Sequence, residues 1–125
     1  MRIIIAGGGK VGFTLAENLA MDNHDIYLID TDEAVLKKAD DTLDVMCIKG
    51  NGASVSVLRS AGVESADIFI AVTNRDELNM LCCLMAKKLG AKYTIARIRD
   101  PEYSEESVRI KSELDIDMII NPENT

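Results

Sequence analysis

The chain has 125 residues, 47% of them hydrophobic, and a formal net charge of −7 at pH 7. This length corresponds to a single domain, and the apolar content is too high for a disordered chain. The acidic balance, with no basic cluster, argues against binding to the phosphate backbone of nucleic acid. No apolar run approaches the roughly 20 residues that span a bilayer.

Apolar runs and helical spacings alternate along the whole chain. In chain order, the runs typical of strands buried on both faces cover residues 2–6, 26–29, 45–48, 68–72, 93–98 and 117–120. Helical spacings lie between these runs. The first covers residues 11–20, the second is a short stretch through Ala39, and the third runs through Ala61 and is stopped by Gly62. The fourth is longer and has Leu78, Leu81, Cys82, Met85 and Leu89 on one side, and the fifth covers residues 102–114. The predicted starts of the second, third and fourth helices are Thr31 or Asp32, Ser54, and Asn74 or Asp76.

Six strands that alternate with helices require right-handed crossovers and a parallel sheet. We therefore predict an α/β fold of the doubly wound Rossmann type. Its six-stranded parallel sheet should carry helices on both faces and have the strand order 3-2-1-4-5-6. The one predicted domain occupies residues 1–125, without a repeat, a linker or a low-complexity segment.

The three cysteines, Cys47, Cys82 and Cys83, indicate reduced thiols. An odd count, with no secretory signal ahead of the first strand, is typical of a soluble cytoplasmic protein. All three lie in apolar or helical stretches, and the adjacent pair does not have a metal-ligand spacing. We expect them to be small buried hydrophobic side chains.

A glycine-rich loop joins the first strand to the first helix, with the spacing G-x-G-x-x-G at Gly7, Gly9 and Gly12. Gly7 allows a sharp turn, Gly9 lets a pyrophosphate approach the main chain, and Gly12 lets the helix pack close to the sheet. The N-terminus of that helix then attracts the phosphates. Lys10, inside the loop, either pairs with these phosphates or is a solvated lysine in the first helical turn.

Two acidic residues follow the second strand. Asp30 lies eighteen residues after Gly12, and its carboxylate can accept hydrogen bonds from both hydroxyls of a ribose. Its charge repels a 2′-phosphate and no arginine follows it, so NAD is favoured over NADP. A helix cap or a solvated turn is the alternative for Asp30, and for Asp32 a helix cap is the favoured interpretation.

Polar residues also follow the third, fourth and fifth strands, at the sheet edge where such folds bind ligands. Asn51 can reach an adenine edge beside the small Gly52, although on the residues alone a plain turn is favoured. Thr73 and Asn74 form a second polar turn. Arg97 lies in an apolar strand and needs a partner if buried: a ligand phosphate, Asp76 or Glu77, with an exposed sheet edge as the alternative.

Residues suited to catalysis are lacking. His24 is the only histidine and lies in a polar turn between a helix and a strand, so neither a Ser–His nor a Cys–His pair is expected. No second domain brings a substrate to a nicotinamide ring. We expect a binding domain without a metal site rather than an enzyme, and the cofactor half of an NAD-dependent dehydrogenase is the alternative.

The glycine loop alone is shared by many dehydrogenases, but it is one of six segments that match a more specific pattern. These segments are residues 4–12, 24–32, 50–54, 58–67, 71–79 and 96–98. Read together and in register, they resemble the N-terminal nucleotide-binding domain of the potassium-transport regulators called KTN or RCK domains, above all that of the TrkA-type subunits of Trk potassium uptake systems. The segments most specific to this family are the stretch from Ala61 to Asp67 and the turn at Thr73 and Asn74.

The resemblance implies a regulatory subunit that binds NAD+ or NADH and controls potassium uptake by a ligand-dependent conformational change. It implies a homo-oligomer, a dimer or a tetramer, beneath a membrane-embedded potassium transporter subunit, and so a cytoplasmic position at the inner face of the cell membrane. An ATP- or ADP-sensing KTN/RCK domain is a further alternative. The cofactor-binding residues that we predict are Gly7, Gly8, Gly9, Lys10, Val11, Gly12, Asp30, Asp32, Asn51, Gly52, Thr73, Asn74 and Arg97.

Two residues depart from the pattern of the family. Lys10 stands where many relatives carry arginine, so it keeps the charge but loses the bidentate fork. Asn51 stands where relatives often carry aspartate, which weakens its predicted contact. In relatives a crossover helix and a C-terminal lobe follow residues 121–125, so we expect this chain to be a domain excised from a longer protein.

Overall fold

The computed structural model describes residues 1–122 of the chain. The strands are β1 (Arg2–Ala6), β2 (Asp25–Asp30), β3 (Met46–Lys49), β4 (Ile68–Ala71), β5 (Tyr93–Arg97) and β6 (Met118–Ile120). The helices are α1 (Lys10–Ala20), α2 (Glu33–Thr42), α3 (Val55–Ser60), α4 (Asp76–Lys88), α5 (Pro101–Glu105) and α6 (Ser107–Leu114), with a 3-10 turn at Val63–Ser65. The predicted start of a crossover helix after residue 122 lies outside the described residues.

All six strands form one parallel sheet in the order β3-β2-β1-β4-β5-β6, which confirms the predicted topology. The strand order reverses between β1 and β4. At the carboxyl end of β1, Ala6 pairs with Ile29 of β2 on one side and with Ala71 of β4 on the other. The loops after β1, β2 and β4 therefore meet at the point where such sheets bind ligands.

Two apolar clusters cover the two faces of the sheet. Ile3 and Ile5 of β1 pack on one face with Ala16 of α1 and Leu36 of α2. The alternate side chains of the same strand, including Ile4, pack on the other face in a cluster whose members on the helices include Leu58 of α3, and Cys82, Cys83 and Ala86 of α4. Helices on both faces confirm the doubly wound prediction, and the runs lack polar alternation because the central strands are buried on both sides.

The fourth helix differs from its prediction in the face that it buries. Leu81 was expected on the apolar side but is 48% exposed, whereas the polar Asn79 is completely buried. The buried face is rotated by about one residue and contains Asp76, Asn79, Cys82, Cys83 and Ala86. This rotation is tolerated because the Asn79 amide is fully hydrogen-bonded, which offsets the cost of burying it.

Two predicted helix details are also corrected. The helix expected over 102–114 is two helices that meet at Glu106, where the backbone leaves the helical region (φ −104°, ψ 21°). The first of them is closed by a hydrogen bond from Glu106 N to the carbonyl of Tyr103. Ser54 precedes α3 as predicted, but its hydroxyl lies 3.1 Å from that of Ser56 and caps no backbone N–H group.

Within residues 1–122, every helix is too short or too polar to cross a lipid bilayer.

Candidate ligand-binding cleft

A cleft of about 1030 Å³ opens at the carboxyl ends of the strands. Its walls come from the loops after β1, β2, β3 and β4, with contributions from the ends of β5 and β6. The predicted site residues that line it are Gly7, Gly9, Lys10, Val11, Asp30, Asp32, Asn51, Gly52, Thr73, Asn74 and Arg97. This volume reaches the upper end of the range for small-molecule sites, roughly 300–1,000 Å³.

Three of the four glycines in the first loop are required by the packing of the protein itself. Gly7 has φ +108°, and a Cβ atom there would lie 2.8 Å from the backbone nitrogen of Thr73. A Cβ atom on Gly8 would lie 2.6 Å from the side chain of Val35, and one on Gly12 would overlap the carbonyl of Gly7. Gly8 and Gly12 therefore allow the loop to pack against the rest of the protein. They are the two predicted site residues that do not line the cleft.

Gly9 is different, because a Cβ atom there would meet no protein atom within 4 Å. Its φ of −68° is open to any residue, so neither packing nor backbone conformation explains the glycine. The space next to it belongs to the cleft. A group that approaches the main chain from outside is the remaining reason for a glycine at this position.

The N-terminus of α1 borders this space, since Lys10 and Val11 line the cleft. The first helical hydrogen bond runs from Phe13 N to the carbonyl of Gly9 (2.8 Å), so the N–H groups of Lys10, Val11 and Gly12 precede the helical ladder. No side chain caps this end of the helix, and its first turn contains no acidic residue. Together with the helix dipole, this arrangement attracts an anionic group.

Asp30 is held in the cleft wall by backbone hydrogen bonds. One carboxylate oxygen accepts from Gly8 N (2.7 Å) and the other from Asp32 N (2.8 Å). Each oxygen keeps a lone pair for a further donor. The carboxylate of Asp32 accepts from Ala34 N (2.9 Å) and caps α2, which agrees with the helix-cap interpretation.

Asn51 forms the turn that the residues alone favoured. Its side-chain oxygen accepts from Ala53 N (2.9 Å), while the side chain stays exposed at the cleft. Gly52 is buried, and a Cβ atom there would come within 2.9 Å of the Ala6 side chain. The turn therefore needs a glycine for packing. The Asn51 side chain keeps its amide nitrogen and one lone pair of its oxygen for a ligand.

The opposite wall is built around Asn79, a residue that the sequence did not single out for the site. Its side-chain oxygen accepts from the backbone nitrogen of Thr73 (2.9 Å) and from the hydroxyl of Thr73 (2.6 Å). Its amide nitrogen donates to the carbonyls of Thr73 (3.1 Å) and Arg97 (2.8 Å). One buried amide thus joins the ends of β4 and β5, but nothing local in the sequence marks it as buried.

Arg97 is only 9% exposed, so the interpretation as a surface arginine is wrong. One guanidinium nitrogen donates to the carbonyl of Thr73 (3.3 Å). The two protein carboxylates suggested as partners are bound elsewhere. Asp76 accepts from the backbone nitrogens of Arg99 and Asp100 (2.8–3.1 Å), and Glu77 accepts from the Tyr103 hydroxyl (2.8 Å).

Charge is unevenly distributed along the cleft. Asp30 and Asp32 lie at the end formed by β2, whereas Lys10 and two arginines, Arg75 and Arg97, contribute positive charge elsewhere in the lining. Arg75 was not among the predicted site residues, although it follows directly after the predicted turn at Thr73 and Asn74. The cleft therefore matches a ligand with hydroxyl donors at one end and anionic groups further along.

The cysteines behave as apolar side chains. Cys82 lines the floor of the cleft, but burial raises the pKa of its thiol to about 12, so it is not a nucleophile near neutral pH. Burial also raises the pKa of Cys83, which packs in the core. Cys47 is half-buried, and burial followed by the charge of Asp40 raises its pKa. His24 lies outside the cleft lining.

Comparison with known proteins relates this architecture to one family. The family model described as the TrkA-N domain matches residues 3–122. A Trk system potassium uptake protein TrkA homolog from Archaeoglobus fulgidus is 47% identical over 123 residues, which cover 98% of this chain and 28% of that protein. Another from Methanothermobacter thermautotrophicus is 38% identical over 125 residues, which cover 100% of this chain and 56% of that protein.

Solved structures give the same fold at lower identity. The TrkA-N domain of the Escherichia coli inner membrane protein ybaL superposes with a TM-score of 0.84 at 20% identity, covering 98% of this chain and 87% of that one. The GsuK channel bound to NAD superposes with a TM-score of 0.80 at 19% identity, covering 95% of this chain and 21% of that one. This chain thus spans 28% and 56% of the length of the two sequence relatives described above.

Proposed function

This chain belongs to the TrkA-N domain family, and we propose that it is a regulatory domain that binds NAD(H) and controls a Trk-type potassium uptake system. The observation that carries the proposal is Gly9. It is the one glycine of the first loop whose Cβ atom would meet no protein atom, in a loop where the other three are required by internal packing. A ligand that lies against the main chain there accounts for this difference.

The cleft divides naturally into the parts of a dinucleotide. Asp30 and Asn51 would hold the adenosine half, since Asp30 keeps a lone pair on each oxygen for ribose hydroxyls. The uncapped N-terminus of α1, with Lys10, would hold the pyrophosphate. Thr73, Asn74 and Arg97 would line the second half of the ligand. The charge of Asp30 favours NAD(H) over a cofactor with a 2′-phosphate.

We propose regulation rather than catalysis, and the groups that surround the cleft support this choice. Its one thiol, Cys82, is protonated near neutral pH, and the one histidine lies outside the lining. We propose that bound nucleotide favours one arrangement of a larger assembly over another, since a ligand shifts an equilibrium only by its differential affinity for the two states. There are two alternatives: the cofactor half of a dehydrogenase, and a domain that senses ATP or ADP. Of these two, the positive charge of Lys10, Arg75 and Arg97 favours the domain that senses ATP or ADP.

The partners proposed for this domain rest on the names of its relatives, two of which are called Trk system potassium uptake protein TrkA homologs. We propose that it acts as a homo-oligomer, a dimer or a tetramer, together with a membrane-embedded potassium transporter subunit. It would then be cytoplasmic and held at the inner face of the membrane through that subunit. Sedimentation velocity of the purified chain is the first check on its self-association.

Melting curves with NADH, NADPH and ATP test the ligand. At a hundred times its dissociation constant, NADH should stabilise the fold by about 2.7 kcal/mol and raise Tm by on the order of 10 °C. Gly9→Val is the matched control: it should still fold, because a Cβ atom at this position meets no protein atom within 4 Å, and it should lose the NADH response. A larger shift with NADPH would contradict the role of Asp30, and a shift with ATP alone would favour the nucleotide-sensing alternative.

The same variant tests regulation in cells. Rubidium or potassium uptake in cells that carry Gly9→Val in the full-length protein should lose its response to the NADH level, while the amount of protein stays normal. Uptake that responds normally, with a variant that binds no NADH, would contradict nucleotide control.

A further inference from the structure

The hydroxyl of Thr73 has its hydrogen fixed by the protein. The side-chain oxygen of Asn79 accepts from the Thr73 backbone nitrogen, while the Asn79 amide nitrogen lies 2.8–3.1 Å from two carbonyl oxygens. Since carbonyl oxygens only accept and the backbone nitrogen only donates, the amide has one possible orientation. Its oxygen therefore faces the Thr73 hydroxyl, 2.6 Å away, and the hydroxyl must donate to it.

A competing acceptor for this hydrogen lies further away. The carbonyl of Arg75 is 3.3 Å from the Thr73 hydroxyl oxygen, at the weak limit of hydrogen bonding. The bond to Asn79 is 0.7 Å shorter and ends on a residue that is 0% exposed, where hydrogen bonds are strongest. The hydrogen therefore lies on the side of Asn79. The backbone nitrogen of Arg75 donates weakly to the same oxygen (3.3 Å), so one lone pair of the Thr73 oxygen remains for a donor in the cleft.

These contacts satisfy all four hydrogen-bonding positions of the Asn79 side chain, two as acceptor and two as donor. No substitution reproduces the set. The change Asn79→Asp would place a buried negative charge against two carbonyl oxygens, and a longer amide would not fit a site with no exposed surface. Asn79 does not itself line the cleft, so it would act on a ligand through Thr73, which does.

We propose that Asn79 is a positioning residue that presents the Thr73 hydroxyl to the cleft as a hydrogen-bond acceptor. This part of the cleft then selects a ligand group that carries O–H or N–H donors, such as a ribose hydroxyl or a carboxamide, over a terminal phosphate, whose oxygens are acceptors. The inference rests on the proposed nucleotide-binding function and deepens it. It assigns to Thr73 a preference for a dinucleotide over a nucleoside polyphosphate, which the charges of Arg75 and Arg97 alone would not give.

Calorimetric titration with NADH and with AMP separates this role from general stability. AMP lacks the second half of the dinucleotide, so it reports only on the Asp30 end and the glycine loop. Thr73→Val should weaken NADH binding about five- to tenfold and leave AMP binding within about twofold, because one hydrogen bond to the ligand is lost. Thr73→Ser, which keeps the hydroxyl, should bind NADH as the unchanged protein does.

Asn79→Leu tests the positioning step, because leucine has about the same size but no acceptor for the Thr73 hydroxyl. It should weaken NADH binding as Thr73→Val does while AMP binding is kept, and the double variant should be no weaker than either single one, since both act on the same contact. If Asn79→Leu does not fold by its melting curve, the shorter Asn79→Ser takes its place with the same expectation.

The outcomes distinguish the two proposals. Losses that add in the double variant, equal losses for NADH and AMP, or NADH binding unchanged in Thr73→Val would overturn the role of Asn79 and Thr73 while nucleotide binding stands. An unchanged protein that binds neither NADH nor AMP would overturn the proposed function, and this inference with it.

Discussion

The glycine loop after β1 and the turn after β4 lie side by side in the cleft, but they are held in position in opposite ways. The loop is fixed by close packing that only glycine allows. At Gly7 and Gly12 other backbone atoms fill the place of a side chain, and at Gly8 the side chain of Val35 does. The turn is fixed by a side chain that is present, the buried amide of Asn79. A lack of side chains leaves a visible spacing in the sequence, whereas a buried polar contact between distant residues does not.

The largest effect that would test this contrast is expected at Gly12. Gly12→Ala should destabilise the fold by about 3 kcal/mol, because the new methyl group overlaps the carbonyl of Gly7 and a packed backbone yields little. Gly9→Ala, in the same motif, should leave unfolding unchanged because its methyl group meets no protein atom. Urea denaturation of both variants measures the difference, and equal stabilities would mean that close packing does not fix the loop.

A smaller effect is expected at Asp76, which holds the other wall. This carboxylate is 9% exposed and accepts from two backbone nitrogens of the segment after β5, so Asp76→Asn should cost about 2 kcal/mol. Glu77→Gln is the matched control in the same helical turn, since Glu77 is exposed and its effect should be much smaller. Denaturation curves that rank the two variants in the reverse order would contradict a wall fixed by buried hydrogen bonds.

The smallest expected effect is a loss of folding stability at low pH. It arises at Asp117, at the edge of the sheet away from the glycine loop. Burial alone would raise the pKa of Asp117, but hydrogen bonds from Lys87 (2.7 Å) and Thr94 outweigh it and hold the pKa below its ordinary value. A lowered carboxyl pKa contributes stability above the ordinary value, about pH 4, and that contribution is lost as the pH falls through the folded-state value.

Denaturation at pH 7 and at pH 3 measures this contribution. Asp117→Asn should be less stable than the unchanged protein at pH 7, and the gap should narrow as the pH falls below about 4. A gap that persists unchanged at pH 3 would contradict the role of the charge. The Asn79 contacts contain no titrating group, so these hydrogen bonds themselves should not share this dependence on pH.

The sheet order and the glycine loop were predictable because their signals are local. Uninterrupted apolar runs identify buried strands wherever they lie, and a glycine spacing after such a run identifies a turn into a helix. The face of α4 was not predictable in the same way. Leu81 has the hydrophobicity of a core residue, yet it is exposed because Asn79, two residues earlier in the helix, is pulled inward by contacts to the ends of β4 and β5.

The residues that line the candidate cleft were predictable in part for the same reason. Asp30 and Thr73 lie at or just after the ends of strands, where the fold brings ligand-binding residues together. Arg75 and Asn79 lie beyond these strand ends, and their positions depend on how α4 packs. The break at Glu106 depends likewise on the backbone that closes α5, which the polar sequence around it does not reveal.

The closeness of Gly7 to Thr73 has a mechanical consequence. A Cβ atom on Gly7 would lie 2.8 Å from the nitrogen of Thr73, so the two main chains touch with no side chain between them. Side chains can absorb a small displacement by changing rotamer, and backbone atoms in contact cannot. The loop after β1 and the turn after β4 are consequently coupled rigidly, so a displacement of one backbone should displace the other.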